Sequence, residues 1–183
     1  MHKKTADNLV FLEFVDEAEL FLEKYRKEIQ QSPEKFVVIT LHPIVKAFLL
    51  RHSVQSTDSF HFCPTQSNQK LLCVLEELIG KIRSNCSLED SLGIRESYRE
   101  GVLFFLRGML AGWLYRAEVV CNAVEQYRPQ TIIAPVLKKI KVSKDRSVIS
   151  RERYLGDIAE QICGMQKIIL KKLFINFTLK ENI

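Results

Sequence analysis

The chain opens on two apolar runs without polar alternation, NLVFLEF over residues 8 to 14 and FVVITL over residues 36 to 41. Short continuous runs of this kind predict strands covered on both faces, the habit of parallel sheets. Each passes directly into a segment of helical period. From about Asp16 to Gln30, Ala18, Phe21, Leu22, Tyr25 and Ile29 share one face, Glu23 stands four before Lys27 on the other, and Ser32-Pro33 ends the helix. His42-Pro43 opens a shorter helix through Ile44, Val45, Phe48 and Leu49, proline being at home in a first turn whose N–H groups lack partners. His52 to Gln55 reads as a brief third strand. Ser56 to Asn68 reads as a polar connection carrying Phe60 and Phe62.

The pattern then turns helical. Leu71, Leu75, Leu78, Ile79 and Ile82 fall at helical spacing between Asn68 and Arg83. Asn85 to Gly93 breaks the period, with Ser87 and Asp90 at capping-box spacing. A long helix is expected from about Arg95 to Tyr127. Between Val102 and Tyr115 it is apolar almost all round, which predicts burial or a kink between neighbours, with Gly108 and Gly112 giving a small face for close packing. Arg128-Pro129 stops it, and Thr131 to Ala134 reads as another short strand. Lys138, Lys139, Lys141, Lys144 and Arg146 form a basic loop. A last helix from near Ser150 carries Leu155, Ile158, Ala159, Ile162 and Ile169 inward, and Lys171 to Ile183 loses the period. The expected fold is α/β, a small open parallel sheet with a large helical portion. One domain over residues 1 to 170, with a helical insertion at about 65 to 128, is followed by a tail over 171 to 183.

Composition narrows this without redirecting it. At 183 residues, 46% hydrophobic and 27% charged, the chain suits one globular domain. Met1-His2-Lys3-Lys4 leads into polar residues rather than a secretory apolar core, and Val102 to Tyr115, interrupted by Arg107, falls short of the roughly 20 residues that span a bilayer. A cytoplasmic protein with no transmembrane segment is expected. Cys63, Cys73, Cys86, Cys121 and Cys163 show no CxxC spacing, so mostly buried, reduced thiols are expected. His52, His61 and Cys63 come nearest to a metal set, but their spacing is not that of usual ligands, and no metal or cofactor is expected. The net charge of +5 resides in the C-terminal part, where residues 136 to 183 hold 11 Lys/Arg against 5 Asp/Glu. It is not interleaved with aromatics, so nucleic acid is not the expected partner.

In an open α/β sheet, ligands bind outside the carboxyl ends of the strands. Three loops occupy such ends, 14 to 17, 40 to 43 and 134 to 139, and their polar residues Asp16, Glu17, Thr40, His42, Lys138 and Lys139 are the candidate ligand-binding set. Asp16 and Glu17 have a second, favoured reading as acidic residues complementing a helix N-terminus. His42 is either a neutral base or donor or a loop histidine that starts a helix. The basic loop suits a phosphate or is solvated charge. No glycine precedes Gly80, and GxxxxGK[ST], GxSxG and HExxH are all missing, so a dinucleotide loop, a P-loop, a hydrolase elbow and a zincin helix are disfavoured. No catalytic set stands out.

The succession NLVFLEFVDEAELFLEKYRKEI, FVVITLHPIVKAFLLRHSV, a polar link, long helices and RPQTIIAP resembles the N-terminal Rossmann-like half of GT-B glycosyltransferases, particularly those of bacterial surface and capsular polysaccharide biosynthesis. Pro43 to Val54 and Pro129 to Pro135 carry the likeness, which spans residues 8 to 165. It implies an acceptor-side domain or fragment, binding a glycan or nucleotide sugar and inactive until completed by a second Rossmann-like domain, with His42 or Asp16 near the acceptor. The alternative is a non-enzymatic α/β interaction module that docks a partner, or a second copy of itself, through the 102 to 115 helix or the basic tail. A third reading lays Lys171, Lys172 and their apolar neighbours on an anionic membrane surface.

Overall fold

A computed structural model of the chain describes residues 6 to 85, 96 to 137 and 155 to 175. Strand β1 (Asn8–Leu12), helix α1 (Val15–Gln31), a 3-10 turn (Pro33–Lys35), β2 (Phe36–Thr40) and α2 (Pro43–Arg51) follow the expected order. A two-residue strand β3 (Thr57–Asp58), a second 3-10 turn (Ser59–His61), α3 (Thr65–Asn85), α4 (Glu96–Tyr127), β4 (Thr131–Leu137), α5 (Leu155–Gln166) and β5 (Ile169–Ile175) complete it. All five strands are parallel, in the order β3-β2-β1-β4-β5. The fold is α/β with an open parallel sheet and a large helical part.

Strand β1 shows why the apolar runs carry no alternation. Leu9 and Phe11 enter one core layer, with Ile39, Ile132, Val119, Val120, Ala123 and Val124. Val10 and Leu12 enter the other, with Val38, Ala18, Phe21, Leu22, Val45 and Leu49. All four β1 side chains are fully buried, so neither parity of the strand can be polar. Helices α1 and α2 cover one face, α4 and α5 the other. The order reverses between β1 and β4, the position where such sheets bind ligands.

Several expectations move. The third strand is Thr57–Asp58, not His52 to Gln55, because Ser53 turns the chain through a left-handed conformation (φ 62°) after α2. Arg128 (φ 46°) and Lys167 (φ 56°) do the same after α4 and α5, three helix exits in which glycine would carry no Cβ penalty. Ile169 does not face inward from a helix. It opens β5, where it is 63% exposed, and the boundary placed at 170/171 falls within that strand. β5 is an edge strand, and Lys171 and Lys172 break its apolar pattern as charges on sheet edges do. Lys171 and Lys172, expected in a tail, lie in this strand instead, Lys172 pairing with Glu160.

The long helix is the largest correction. Tyr127 lies at the amino end of the sheet, where its carbonyl accepts the Ala6 N–H, while Arg116 reaches Glu13 just past the end of β1. Helix α4 thus runs antiparallel to β1 and overshoots the carboxyl edge by everything before Arg116. At 1.5 Å per residue this is an arm of about 30 Å. Helix α3 returns along it, tied by Glu76–Arg107 and Arg83–Glu100. Of the apolar stretch expected to be buried, the amino-terminal part is exposed, Phe104 79%, Phe105 63% and Val102 40%, whereas Leu103 is buried and Leu106 and residues 109 to 115 are partly buried. Gly108 does not pack closely either, since a Cβ there would meet nothing within 4 Å. Among the described residues no helix is long and apolar enough to cross a membrane.

Candidate functional site at the carboxyl edge

The register of β1 and β2 sets Leu12 beside Thr40, and the Leu41 N–H donates to the Leu12 carbonyl at 2.9 Å. The loops after these two strands are therefore neighbours, and Asp16, Glu17, Thr40 and His42 do share one edge. Their roles differ from those of a ligand-binding quartet. Glu17 is buried, 1% exposed, and its Oε2 accepts the N–H groups of Glu13 (2.7 Å) and Phe14 (3.1 Å). A carboxylate reaching back to backbone donors just before a helix is a cap. Asp16 accepts the Glu17 N–H at 3.1 Å, which places both acids in the service of the α1 N-terminus. Glu17→Ala leaves one buried and one partly buried N–H group without their charged acceptor and is expected to cost about 2 kcal/mol. Urea unfolding measures it, and an unchanged midpoint would contradict the capping role.

His42 occupies the N-cap position of α2 and is exposed; its carbonyl accepts from Val45 (3.1 Å) and Lys46 (3.4 Å), and its ring makes no cap. Thr40 is 1% exposed and its hydroxyl has no hydrogen-bond partner among the described residues. Lys138, Lys139 and the rest of the basic loop lie outside the described residues, as do Ser87, Asp90, Cys86 and Ser150.

Residues absent from the candidate set dominate this edge. Glu13 receives a two-pronged contact from Arg116, Nε to Oε2 at 3.0 Å and Nη2 to Oε1, while Arg116 Nη1 donates to the Gly112 carbonyl at 2.8 Å. Both side chains are largely buried, 10% and 15% exposed. Beside them Ser59, itself buried, shares a 2.8 Å hydrogen bond with the Tyr115 hydroxyl. Lys46 pairs with Asp58 at the end of β3, half exposed. Adjacent α4 residues thus lie over the ends of β1 and β3. The signal for the ion pair was present in the sequence, as one acid interrupting a buried strand and one arginine following an apolar helical run, each needing a partner.

Four groups among the described residues titrate high, Cys63 and Tyr115 of them near this edge. Burial, reinforced by Glu118, lifts the Cys63 and Cys121 thiols above their ordinary value of 9.0; burial, reinforced by Glu160, does the same to Cys163. Burial also raises the Tyr115 phenol above 10.0, the Ser59 hydrogen bond opposing it. The folded chain therefore holds these protons after the unfolded chain has begun to lose them. Stability is expected to be level with respect to these groups up to about pH 9 and to fall as pH rises beyond it. Denaturant midpoints across pH 8 to 11 test this, and the fall should shrink in Cys63→Ala. Cys63 and Cys163 are buried while Cys73 and Cys121 are exposed, all four free, so burial holds for two of the described cysteines only. Among the described residues no three His, Cys, Asp or Glu side chains converge on a metal position; His52 bonds the Phe48 carbonyl and His61 stacks edge-on against Phe62.

Chemically, the edge offers a closed ion pair, a cap, one exposed imidazole and one buried hydroxyl with nothing to bond. No protein-family model matches the chain, and no curated protein matches it significantly.

Proposed function

We propose that the chain is an α/β interaction module whose working surface is the hairpin α3–α4, the rigid sheet serving to hold it. The observation that supports this is the apolar exposure of the arm. Phe104, Phe105 and Val102 on α4 and Leu72, Val74 and Leu78 on α3 are each between 37% and 79% exposed, all on elements that leave the sheet. Large apolar side chains left exposed on both helices of one projecting hairpin are what a site of protein contact offers. The carboxyl edge beneath is filled by the chain's own Glu13–Arg116 and Ser59–Tyr115 contacts. The test is anilinonaphthalene sulfonate fluorescence with the full chain. Wild type should enhance it strongly and Phe104→Ser/Phe105→Ser should lose most of the enhancement at unchanged circular dichroism. A folded wild type that leaves the dye dark removes the reading.

The acceptor-side half of a glycosyltransferase-like protein is the second proposal. It draws on the unsatisfied Thr40 hydroxyl beside exposed His42 at the end of β2, next to the strand-order reversal. In this reading a second Rossmann-like domain seats over the same edge. Saturation-transfer NMR with a panel of nucleotide sugars and oligosaccharides should give a signal that Thr40→Val and His42→Ala reduce. Silence across the panel from a folded sample would sink it.

A further inference from the structure

We infer that the arm opens and closes as a unit of its own: α3 beyond Leu71 and α4 up to Gly112 melt and re-form while the sheet and the rest of α4 stay folded. Burial divides the long helix there. Between residues 100 and 112 Leu103 alone is buried, whereas between 116 and 127 Val119, Val120, Ala123, Val124 and Tyr127 all are. Between 72 and 84 on α3, only Leu75 and Ile79 are buried. None of these three arm residues belongs to either core layer of the sheet, while Leu71, Trp113 and Tyr115, at the foot of the arm, pack against one of them. Helices in water owe their stability chiefly to the face they bury, so the arm is held far more weakly than the sheet. Its remaining ties, Glu76–Arg107, Arg83–Glu100 and Glu77–Lys81, are about half exposed or more, and ion pairs in that setting add little.

Glycine placement makes the same division. Helix α4 holds Gly101, Gly108 and Gly112, all in the arm and none in the part docked on the sheet, and α3 holds Gly80. Close packing does not require them. A Cβ at Gly80, Gly101 or Gly108 would meet nothing within 4 Å, and at Gly112 the nearest atom is the movable Arg116 guanidinium, 2.8 Å away. Each weakens an interior helix position about fourfold relative to alanine, and the four together by roughly 10²-fold. The foot of the arm is pinned instead. Arg116 holds Glu13 past the end of β1 as well as the Gly112 carbonyl, and Tyr115 shares its hydrogen bond with Ser59, so melting that begins in the arm stops at these contacts. Resting on the reading of the hairpin as an interaction surface, the device makes that surface conditional: a partner meets it only in the closed fraction, and its affinity is reduced by that fraction.

Hydrogen–deuterium exchange of the full chain, read by mass spectrometry in peptides covering residues 72 to 84, 100 to 112 and 117 to 127, tests this. The first two should exchange at least about tenfold faster than the third, although 100 to 112 and 117 to 127 lie on one helix. Two variants then separate local opening from unfolding of the whole chain. Gly108→Ala should slow exchange in the arm peptides about fourfold. Ile133→Val, which thins the sheet's core away from the arm, should speed exchange in 117 to 127 about fivefold and leave the arm peptides unchanged. Protection that runs level along α4, or arm peptides that follow Ile133→Val as closely as 117 to 127 does, overturns the inference. The dye decides the interaction reading separately. An arm that exchanges in step with the sheet yet lights the dye through Phe104 and Phe105 removes the device and keeps that reading; a fast arm on a chain that leaves the dye dark keeps the device and removes the reading.

Discussion

Arg116→Leu should destabilise the fold by about 3 kcal/mol, and Glu13→Leu/Arg116→Leu should recover most of that loss. Removing one member of a largely buried ion pair strands the other charge in a region water reaches poorly, which typically costs about 3–5 kcal/mol. The exposure that remains, 10% for Glu13 and 15% for Arg116, puts this site at the lower end. Arg116 also holds the Gly112 carbonyl, so a small part of the loss belongs to α4 itself and will not return in the double variant. The measurement is a double-mutant cycle by urea unfolding, with a slope near 1–3 kcal/mol per molar carrying the loss into a midpoint shift of at least 1 M. Equal losses in single and double variants would mean that the contact serves packing and not charge.

Gly156→Ala is expected to cost at least as much, about 3 kcal/mol, and to be among the worst single-methyl additions the chain can receive. A Cβ at this position would lie 2.1 Å from the Pro135 carbonyl oxygen and 3.1 Å from both its carbon and Val136 Cγ2. Two of those three atoms are backbone of β4, so relief requires α5 to lift from the sheet, and overpacking of that kind typically costs about 1–3 kcal/mol or more. Gly108→Ala is the matched control. There a Cβ meets nothing within 4 Å, and exchanging glycine for alanine inside a helix should stabilise by about 0.5–1 kcal/mol. Thermal unfolding of the two variants side by side should therefore move in opposite directions. A tolerated Gly156→Ala would mean that α5 and β4 do not approach this closely.

The glycine pair also measures what the sequence discloses. Spacing drew attention to Gly108 and Gly112, yet the contact that needs glycine is at Gly156, which no local pattern marks because its constraint is a strand twenty residues earlier in the chain. The same division runs through the fold. β1, β2, α1 and α2 were legible because an apolar run buried on both faces, and a helix with one apolar face, each declare their burial locally. β5 was not, because an edge strand mixes Lys171 and Lys172 with Leu173 and Ile175 and matches neither period. The region around Val102 misled for the opposite reason. Apolarity all round a helix ordinarily signals burial within one chain, and here the helix leaves the sheet. At the candidate site, Asp16, Glu17, Thr40 and His42 were placed at the right edge by the alternation of strand and helix. Their use could not be read, since Glu17 is committed to a cap and the partner of Glu13 lies 103 residues away.

The place of β1 in the sheet bears on how the chain is made. It precedes its sheet neighbours in the chain and lies at the centre, pairing with β2 on one side and β4 on the other. Val38 is made soon after Val10, but Ile133, the neighbour of Val10 on the other side, emerges only after the whole helical hairpin. Until then a strand apolar from Leu9 to Leu12 presents an unpaired edge, the kind of surface that captures other nascent chains. Pairing across so long a loop is also intrinsically slow. The yield of native chain should therefore depend more on temperature and expression rate than its final stability would suggest.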